Sequence, residues 1–358
     1  MEDKGMKIVN LGIVALMVML TFYLLIAGQE VILPFVIALV FWYLINLLAK
    51  SYQRLEISGH NMPGWFCFAL SLLSFVAMFW GTVKVISMNV DGVLEVAPTY
   101  QANLESKMNS LLAYFGIEQA PTIEQLIEQI NLRQFISSTA LSLTSIVANS
   151  GLTLIYLAFL FIEQKNMDKK LSALIGENGK QEGVRKLLRR ISDDVRKYVT
   201  IKLIASLCTG TLSFIFLLVI GVDFAAFWAL LIFLLNFIPT IGSIIATIFP
   251  ALITLVQFDT LGPFFLVAGG LTSIQVLIGN ILEPKFTGST LNLSPTIILL
   301  NLSLWGVIWG IPGMFLSVPF MVISMIVFSH LPQTRTIAVL LSSDGRLSNL
   351  EEDESKPL

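Results

Sequence analysis

The sequence predicts an all-α, polytopic membrane protein with six to eight transmembrane segments, including two broken or re-entrant helical hairpins. Of its 358 residues, 55% are hydrophobic and only 13% are charged, whereas an ordinary soluble domain carries about 25% charged residues. Residues 203–282 contain two charged side chains, Asp223 and Asp259, and residues 286–334 contain none. Stretches this long and this apolar are typical of helices that face lipid, each about 20 residues long.

Continuous apolar runs predict the individual spans. The runs that we expect to cross the bilayer unbroken are 8–27, 31–49, 64–88, 141–162, 200–220 and 262–282. Because only Gly28, Gln29 and Glu30 separate the first two runs, these should form a tight hairpin. The first run lacks a small-x-small cleavage site, which favours a retained span over a signal peptide.

Two polar segments predict the topology. Residues 89–140 carry a net charge of −4, and their helically spaced apolar residues, interrupted at Gly116 and Pro121, predict an extracytoplasmic insertion of amphipathic helices. Residues 163–198 carry +4, and short basic loops stay in the cytoplasm, so both termini should be cytoplasmic. A basic segment beside a membrane binds anionic headgroups, so we expect no nucleic-acid partner.

The same reading divides the chain into six regions. They are a three-span region (1–88), the extracytoplasmic insertion (89–140), a fourth span (141–162), a basic cytoplasmic helical loop (163–198), a C-terminal transport core with broken helices (199–330) and an acidic cytoplasmic tail (331–358).

Two apolar runs are too long to be straight spans. Residues 224–256 would form a helix of about 50 Å across a hydrocarbon core of about 30 Å. This run is broken by Asn236-Phe-Ile-Pro-Thr-Ile-Gly242, and residues 293–328 are broken by Trp309-Gly-Ile-Pro-Gly313 and again at Pro319. Two broken segments in corresponding positions indicate a paired repeat around a central site.

A third polar interruption, Gly279-Asn-Ile-Leu-Glu-Pro-Lys285, follows the run 262–282. Proline and glycine leave helix carbonyls without partners, and such backbone persists at membrane depth only where protein buries it or where it lines a wet cavity. We therefore expect a solute pathway lined by Asn236, Pro239, Thr240, Gly242, Asn280, Glu283, Pro284, Pro312 and Gly313.

Glu283 is the strongest candidate for coupling to an ion. A carboxylate beside hydrocarbon needs a partner, water or a proton, and Lys285 lies on a different helical face. Glu283 would therefore bind the coupling proton or cation, or gate the path; the alternative is a helix cap at headgroup level. Asn236 and Asn280 could bind a hydroxyl-rich solute or join helices to each other.

Motifs of enzymatic chemistry are absent from the sequence. It has two histidines far apart, His60 and His330, and neither an HExxH motif nor a Walker loop. Cys67 and Cys208 lie inside apolar runs and should be small buried packing residues. We therefore expect no enzyme, no metal and no cofactor.

The three motifs together resemble one family. Residues 227–243, with Phe-Trp-Ala-Leu and Asn-Phe-Ile-Pro-Thr-Ile-Gly-Ser, residues 279–285, and residues 305–319, with Trp-Gly and Gly-Met-Phe-Leu-Ser-Val-Pro, resemble the autoinducer-2 exporter family, or PerM-like permeases, of bacterial inner membranes. The resemblance implies an α-helical permease similar to exporters of the quorum-sensing signal autoinducer-2 or to cation/proton antiporters. The charge-free Gly288-Ser-Thr290 turn departs from relatives that carry a base there.

Three functional hypotheses follow. The first is export of a small polar solute of the autoinducer-2 type through the inner membrane. The second is a sodium(or potassium)/proton antiporter in which Glu283 binds the exchanged cation. The third is a non-transporting scaffold that recruits partners through its charged loops. The expected partners are a small polar solute, the lipid bilayer and, because the amphipathic helices offer packing faces, further copies of the chain.

Overall fold

The structure, a computed structural model, describes residues 2–54, 56–57, 60–114, 150–175, 180–287, 293–330 and 334–345. Its helices are α1 (Glu2–Ala27), α2 (Gln29–Gln53), α3 (Gly64–Tyr114), α4 (Ser150–Ile175), α5 (Lys180–Ile220), α6 (Ala225–Leu235), α7 (Ile241–Gln257), α8 (Gly262–Gln275), a π-helix (Val276–Leu282), α9 (Glu283–Thr287), α10 (Pro295–His330) and α11 (Arg335–Leu341). The only strands within these ranges are β1 (Glu56–Ile57) and β2 (His60–Asn61), which pair antiparallel. The predicted all-α class is confirmed.

Five helical segments of the described chain are long and apolar enough to cross a membrane. They are Gln29–Gln53, Gly64–Val85, Arg185–Ile220, Gly262–Phe286 and Pro295–Ser329, joined by the shorter apolar helices Gly12–Ala27, Ala225–Leu235 and Ile241–Gln257. Large apolar side chains on their outer faces are exposed, among them Met19, Val219 and Val307 at 73%, 81% and 83%. Apolar surface of this extent is typical of a protein embedded in lipid.

The chain forms two compact units. One contains residues 1–71, 149–195 and 292–358, and the other contains residues 72–148 and 196–291. Residues 115–140 of the predicted insertion, residues 331–333 and 346–358 of the predicted tail, and the turn at 288–290 lie outside the described ranges.

In the first unit, α2 packs against α4 through both polar and aromatic contacts. The Trp42 indole N–H donates to the Gln164 carboxamide oxygen at 2.8 Å, and Gln164 exchanges hydrogen bonds with Asn46. Phe35 and Tyr156 meet edge to face with their ring centroids 5.4 Å apart. Amide pairs of this kind stabilise helix pairs in lipid, where no water competes for the donors.

The predicted tight hairpin between the first two runs is wrong. The Gly28 N–H donates to the Leu24 carbonyl at 2.8 Å, and the Ile32 N–H donates to the Gly28 carbonyl at 2.9 Å. These are helical hydrogen bonds, so the chain bends at Gly28 (φ −93°, ψ 11°) without reversing. Glycine lowers helix propensity, but a single glycine with no flanking turn residues does not reverse a chain.

The helix that contains the third predicted span continues beyond it. The run expected to end at Met88 continues as one helix of 51 residues through Tyr114. Pro98 lies inside this helix on an exposed position, where it interrupts one backbone hydrogen bond without ending the helix. The first amphipathic segment of the predicted insertion is therefore an extension of α3, and the interruptions at Gly116 and Pro121 lie outside the described residues.

Helices α6 and α7 form the predicted hairpin in the second unit. At its open end, the Gln257 side chain accepts a hydrogen bond from the Asp223 backbone N–H at 2.9 Å and donates to the Gly221 carbonyl at 2.8 Å. Both ends of the hairpin are thus held at one level, beside the end of α5. With 11 and 17 residues, the two helices are about 16 and 25 Å long, too short for either to cross the bilayer alone. The segment is re-entrant.

Helix α10 contains the second hairpin, in the first unit. Gly310 has φ 64° and ψ −142°, which no helix allows, and the Asn301 side chain donates to the Ser317 carbonyl at 2.6 Å. A straight helix would separate residues 301 and 317 by about 24 Å, so the chain folds back at Gly310. This confirms the prediction of two broken hairpins.

Candidate functional site

An ion pair inside the second unit is the centre of the candidate site. The Lys202 ammonium of α5 lies 2.9 Å from one carboxylate oxygen of Glu283 on α9 and 3.1 Å from the other. The Lys202 side chain is 10% exposed and that of Glu283 is 19% exposed. Because a buried charge is costly without a counter-charge, each residue supplies what the other needs. Glu283 therefore has the partner that its position in apolar sequence requires.

Lys202 belongs to a polar stripe along one face of α5. Tyr198, Lys202, Ser206, Thr209 and Ser213 are three or four residues apart, which places them on the same side of the helix. Taken as whole residues, backbone included, the last four are at most 8% exposed. The Tyr198 phenol lies within electrostatic range of Glu283. From Tyr198 to Ser213 the stripe extends about 22 Å along the helix axis, most of the thickness of a hydrocarbon core.

The tip of the α6–α7 hairpin contacts this stripe. The Asn236 carboxamide N–H donates to the Ser206 hydroxyl at 3.0 Å, and Asn236 is 6% exposed. Ser206 is one helical turn from Lys202, about 6 Å along α5. The structure thus brings Asn236 and Glu283 to neighbouring turns of α5. The Asn236 amide joins the hairpin to α5, which is the second of the two roles that the sequence predicted for it.

The hairpin turn has a strained backbone. Thr240 has φ 60° and ψ −61°, and the Ile241 N–H donates to the Pro239 carbonyl at 2.6 Å, which together define a γ-turn of the rare positive-φ kind. A β-branched residue in this region is unusual and costs about 1–3 kcal/mol. Gly242 then packs on the Leu235 carbonyl so closely that a Cβ would overlap its oxygen. Such strain is often found at functional sites.

Glu283 is presented by a π-helix and not by the chain break that the sequence predicts. The backbone stays helical through residues 276–287, and the Glu283 N–H donates to the Ile278 carbonyl, five residues back. The wider π-turn accommodates Pro284, which has no N–H to continue an α-helical ladder. Asn280 and Pro284 are exposed. Single π-turns inside α-helices are frequent at functional sites.

The open end of the hairpin is fixed by the extension of α3. The Asn103 carboxamide donates to the Val256 carbonyl at 3.0 Å, and the Lys107 ammonium donates to the carbonyls of Leu255, at 2.6 Å, and Phe258. These carbonyls end α7, where a cation is favoured by the helix dipole. The Tyr100 hydroxyl donates to the Asp223 carboxylate at 2.6 Å. The α3 extension thus holds the end of the hairpin opposite its tip.

Replacing Tyr100 by phenylalanine tests this attachment. Burial and the Asp223 carboxylate raise the pKa of the Tyr100 phenol above its ordinary value, so the folded chain holds the proton more tightly than the unfolded chain. This contribution to stability should be constant below about pH 10 and fall as the pH rises further. At neutral pH we expect Tyr100→Phe to lower the free energy of unfolding by about 1 kcal/mol.

Thermal unfolding of the detergent-solubilised chain between pH 8 and pH 11 measures this effect. Between pH 10 and 11 the wild type should lose more stability than Tyr100→Phe, because the variant lacks the titrating phenol. Parallel losses in the two proteins would contradict the assignment.

Two of the predicted pathway residues lie in the other unit. Pro312 is half-buried, and Gly313 packs on the Trp305 carbonyl, where a Cβ would overlap the oxygen. The close approach resembles that of Gly242 to Leu235 in the first hairpin. Trp305 also stacks against Phe320 with ring centroids 4.4 Å apart, so this turn is held by aromatic packing.

Lys202 and Ser206 are two site residues that were not predicted from the sequence. Lys202 falls inside the predicted span 200–220, where a lysine needs a counter-charge as much as Glu283 does. A lysine inside an apolar run was therefore the sequence signal that could have identified it. Ser206, four residues later, marks a polar face that an apolar average hides. Cys208, in contrast, is exposed and not a buried packing residue, whereas Cys67 is buried. Within the described ranges, no three His, Cys, Asp or Glu side chains could share a metal ion.

The chain is similar in sequence to a family of bacterial transporters. A sequence model described as AI-2E family transporter matches residues 13–333. A candidate transport protein of Haemophilus influenzae is 30% identical over 92% of this chain and 95% of its own length, and the AI-2 transport protein TqsA of Escherichia coli K12 is 28% identical over 88% and 90%. A candidate transport protein of Borreliella burgdorferi is 42% identical over 47% of each chain.

The residues that the family model matches include both hairpins, the polar stripe and the π-helix. The buried ion pair and the two re-entrant segments are thus features of a multi-pass membrane protein from a bacterial transporter family. The chain therefore belongs to the AI-2E family of transporters.

Proposed function

We propose that this transporter exports a small polar solute of the autoinducer-2 type, and that the solute path follows the polar stripe of α5. The observation that carries the proposal is the Lys202–Glu283 ion pair one helical turn from the re-entrant tip at Asn236. A polar face about 22 Å long inside apolar helices offers hydrogen-bond donors and acceptors at successive depths. The similarity to TqsA supports the choice of solute.

The residues of this path have complementary chemistry. Lys202 donates only and the Glu283 carboxylate accepts only, whereas Ser206 and Asn236 do both. A hydroxyl-rich solute can exchange its hydrogen bonds to water for bonds to these groups as it moves along α5. The tip of a re-entrant hairpin is a suitable moving part, because its strained γ-turn at Thr240 stores free energy that a rearrangement would release.

We also propose an orientation. The N-terminal part of α5 carries most of the basic residues of the 163–198 segment, and a basic segment of this size lies on the cytoplasmic side of a bacterial inner membrane. Lys202 follows Lys197 by just over one turn, so the ion pair would lie near the cytoplasmic end of the path and the open end of the hairpin on the far side. Assembly into a homo-oligomer belongs to the same proposal.

Flux in reconstituted vesicles tests the function. Vesicles that contain the purified chain and are preloaded with autoinducer-2 should release it faster than protein-free vesicles, with saturation at high internal concentration. Glu283→Gln should reduce the rate at least about tenfold, because it leaves the Lys202 charge without its partner on the path. Lys285→Gln is the matched control: Lys285 is two residues away and exposed, and its variant should transport at the wild-type rate. Equal release with and without the protein would reject the proposal.

A second candidate, cation/proton antiport, is favoured by the same carboxylate. The Lys202 ammonium occupies the position on Glu283 that a bound sodium or potassium ion would take. Antiport predicts proton movement across vesicle membranes that depends on sodium or potassium and is lost in Glu283→Gln. Proton movement indifferent to both cations would exclude it.

A further inference from the structure

We infer that the path along α5 selects solutes that carry no net charge, and that the Lys202–Glu283 pair sets this selectivity. The inference rests on the proposed transport along α5 and adds the substrate class. It follows from the balance of charges along residues 202–283 of the second unit.

Residues 202–283 carry four charged side chains, which fall at the two ends of the α6–α7 hairpin. From Lys202 through α5, α6, α7, α8 and the π-helix to Glu283, the only other charged residues are Asp223 and Asp259. Asp223 lies at the open end of the hairpin, where it accepts the Tyr100 hydroxyl, and Asp259 is exposed just after α7. Within residues 202–283, the level of the hairpin tip therefore holds one positive and one negative charge, those of Lys202 and Glu283.

A site with this balance discriminates by electrostatics. An anionic or cationic solute would leave one charge uncompensated among apolar helices, and an uncompensated charge there is strongly disfavoured. A neutral solute with hydroxyl or carbonyl groups does not change the balance. It can accept from Lys202, donate to Glu283 and form either kind of bond with Ser206 and Asn236.

The geometry also explains why the two charges are placed on different segments. Lys202 is fixed on α5, whereas Glu283 follows the π-helix, and the two residues are 81 positions apart in the sequence. A solute that inserts between them breaks the hydrogen bonds from the ammonium to the carboxylate. It must therefore supply a new hydrogen bond to each of the two groups. A polyol can bridge the ammonium and the carboxylate, and an ion can satisfy only one of them.

The experiment compares three probes of similar size in vesicles that contain the full chain. The probes are erythritol, which is neutral, erythronate, which is anionic, and 1-amino-1-deoxyerythritol, which is cationic near neutral pH. We expect the wild type to carry erythritol at least about tenfold faster than either charged probe. Its flux should not respond to membrane potential, whereas the distribution of a singly charged solute shifts about fiftyfold per 100 mV.

Variants of the pair provide the decisive comparison. Glu283→Gln retains the ammonium and should move the preference toward erythronate, and Lys202→Gln retains the carboxylate and should move it toward the cationic probe. The double variant Lys202→Glu/Glu283→Lys restores neutrality and should restore the preference for erythritol. Because a ratio of rates is independent of the amount of active protein, partial misfolding of a single variant does not hide the shift. Lys285→Gln should keep the wild-type ratios.

The outcomes separate this inference from the proposed function. Two results would overturn the charge selectivity alone, provided that autoinducer-2 release is saturable. One is equal rates for the three probes, and the other is a set of rate ratios that the pair variants leave unchanged. Wild-type carriage of none of the three probes would also overturn it. Absence of autoinducer-2 release in addition would overturn the proposed function as well.

Discussion

Removing one member of the Lys202–Glu283 pair should destabilise the chain far more than removing both. Glu283→Gln leaves an ammonium that is 10% exposed without a counter-charge, and breaking a buried pair in this way typically costs about 3–5 kcal/mol. We expect about 3 kcal/mol, at the lower end, because the carboxylate retains some exposure. Lys202→Met should cost a similar amount, since it strands the carboxylate.

The double variant Lys202→Met/Glu283→Gln removes both charges and should recover most of the loss, within about 1 kcal/mol of the wild type. Unfolding of the purified chain in mixed micelles, titrated with a denaturing detergent, measures all four proteins of the cycle. Lys285→Gln is the matched control, and a surface substitution of this kind should change the free energy of unfolding by less than about 0.5 kcal/mol. Single variants as stable as this control would show that the pair does not hold α5 to α9.

The stability cycle and the flux experiments ask different questions of the same residues. The uncharged double variant should be stable, yet its path lacks the two groups that orient a polyol, so it should fold and transport slowly. If both groups served only to hold the helices together, restoring stability would restore transport. A stable, slow double variant therefore distinguishes a role on the path from a purely structural one.

Local chemistry explains which parts of the fold could be predicted. The first hairpin follows from a long apolar run with Pro239 and Gly242 at its centre, because proline removes a donor and glycine permits the close approach to Leu235. The second follows in the same way from Gly310 and Pro312. In both cases the signal and its effect lie within a few residues of each other, so no knowledge of tertiary contacts was needed.

Other features depended on contacts between distant residues or on a choice between similar backbones. Pro284 was expected to break the chain, but a π-turn accommodates it, and the sequence does not distinguish these two responses to a missing N–H. Gly28 was expected to reverse the chain, but it only bends it. Lys202 meets Glu283 across 81 positions, and only packing of α5 on the π-helix region brings them together.

The two hairpin glycines are the positions at which a single methyl group should have the largest effect on folding. In Gly242→Ala the added Cβ would overlap the Leu235 carbonyl oxygen and lie 2.8 Å from the Leu235 carbonyl carbon. In Gly313→Ala the added Cβ would overlap the Trp305 carbonyl oxygen and lie 2.9 Å from the Trp305 carbonyl carbon. Backbone atoms cannot rotate away as a side chain can, so the hairpin must open to relieve the contact. Overpacking commonly costs about 1–3 kcal/mol and occasionally more, and we expect each variant to lose about 3 kcal/mol or more.

Gly269→Ala in α8 is the matched control, because nothing lies within 4 Å of the added Cβ, and alanine there should stabilise the helix by up to about 1 kcal/mol. Unfolding in mixed micelles gives the three free energies, and autoinducer-2 release gives the functional consequence. Because the hairpin tip carries Asn236 to Ser206, Gly242→Ala should also slow release by at least about tenfold, while Gly269→Ala should leave it unchanged. Wild-type stability in Gly242→Ala would mean that α6 and α7 do not meet as closely as the turn at Thr240 requires.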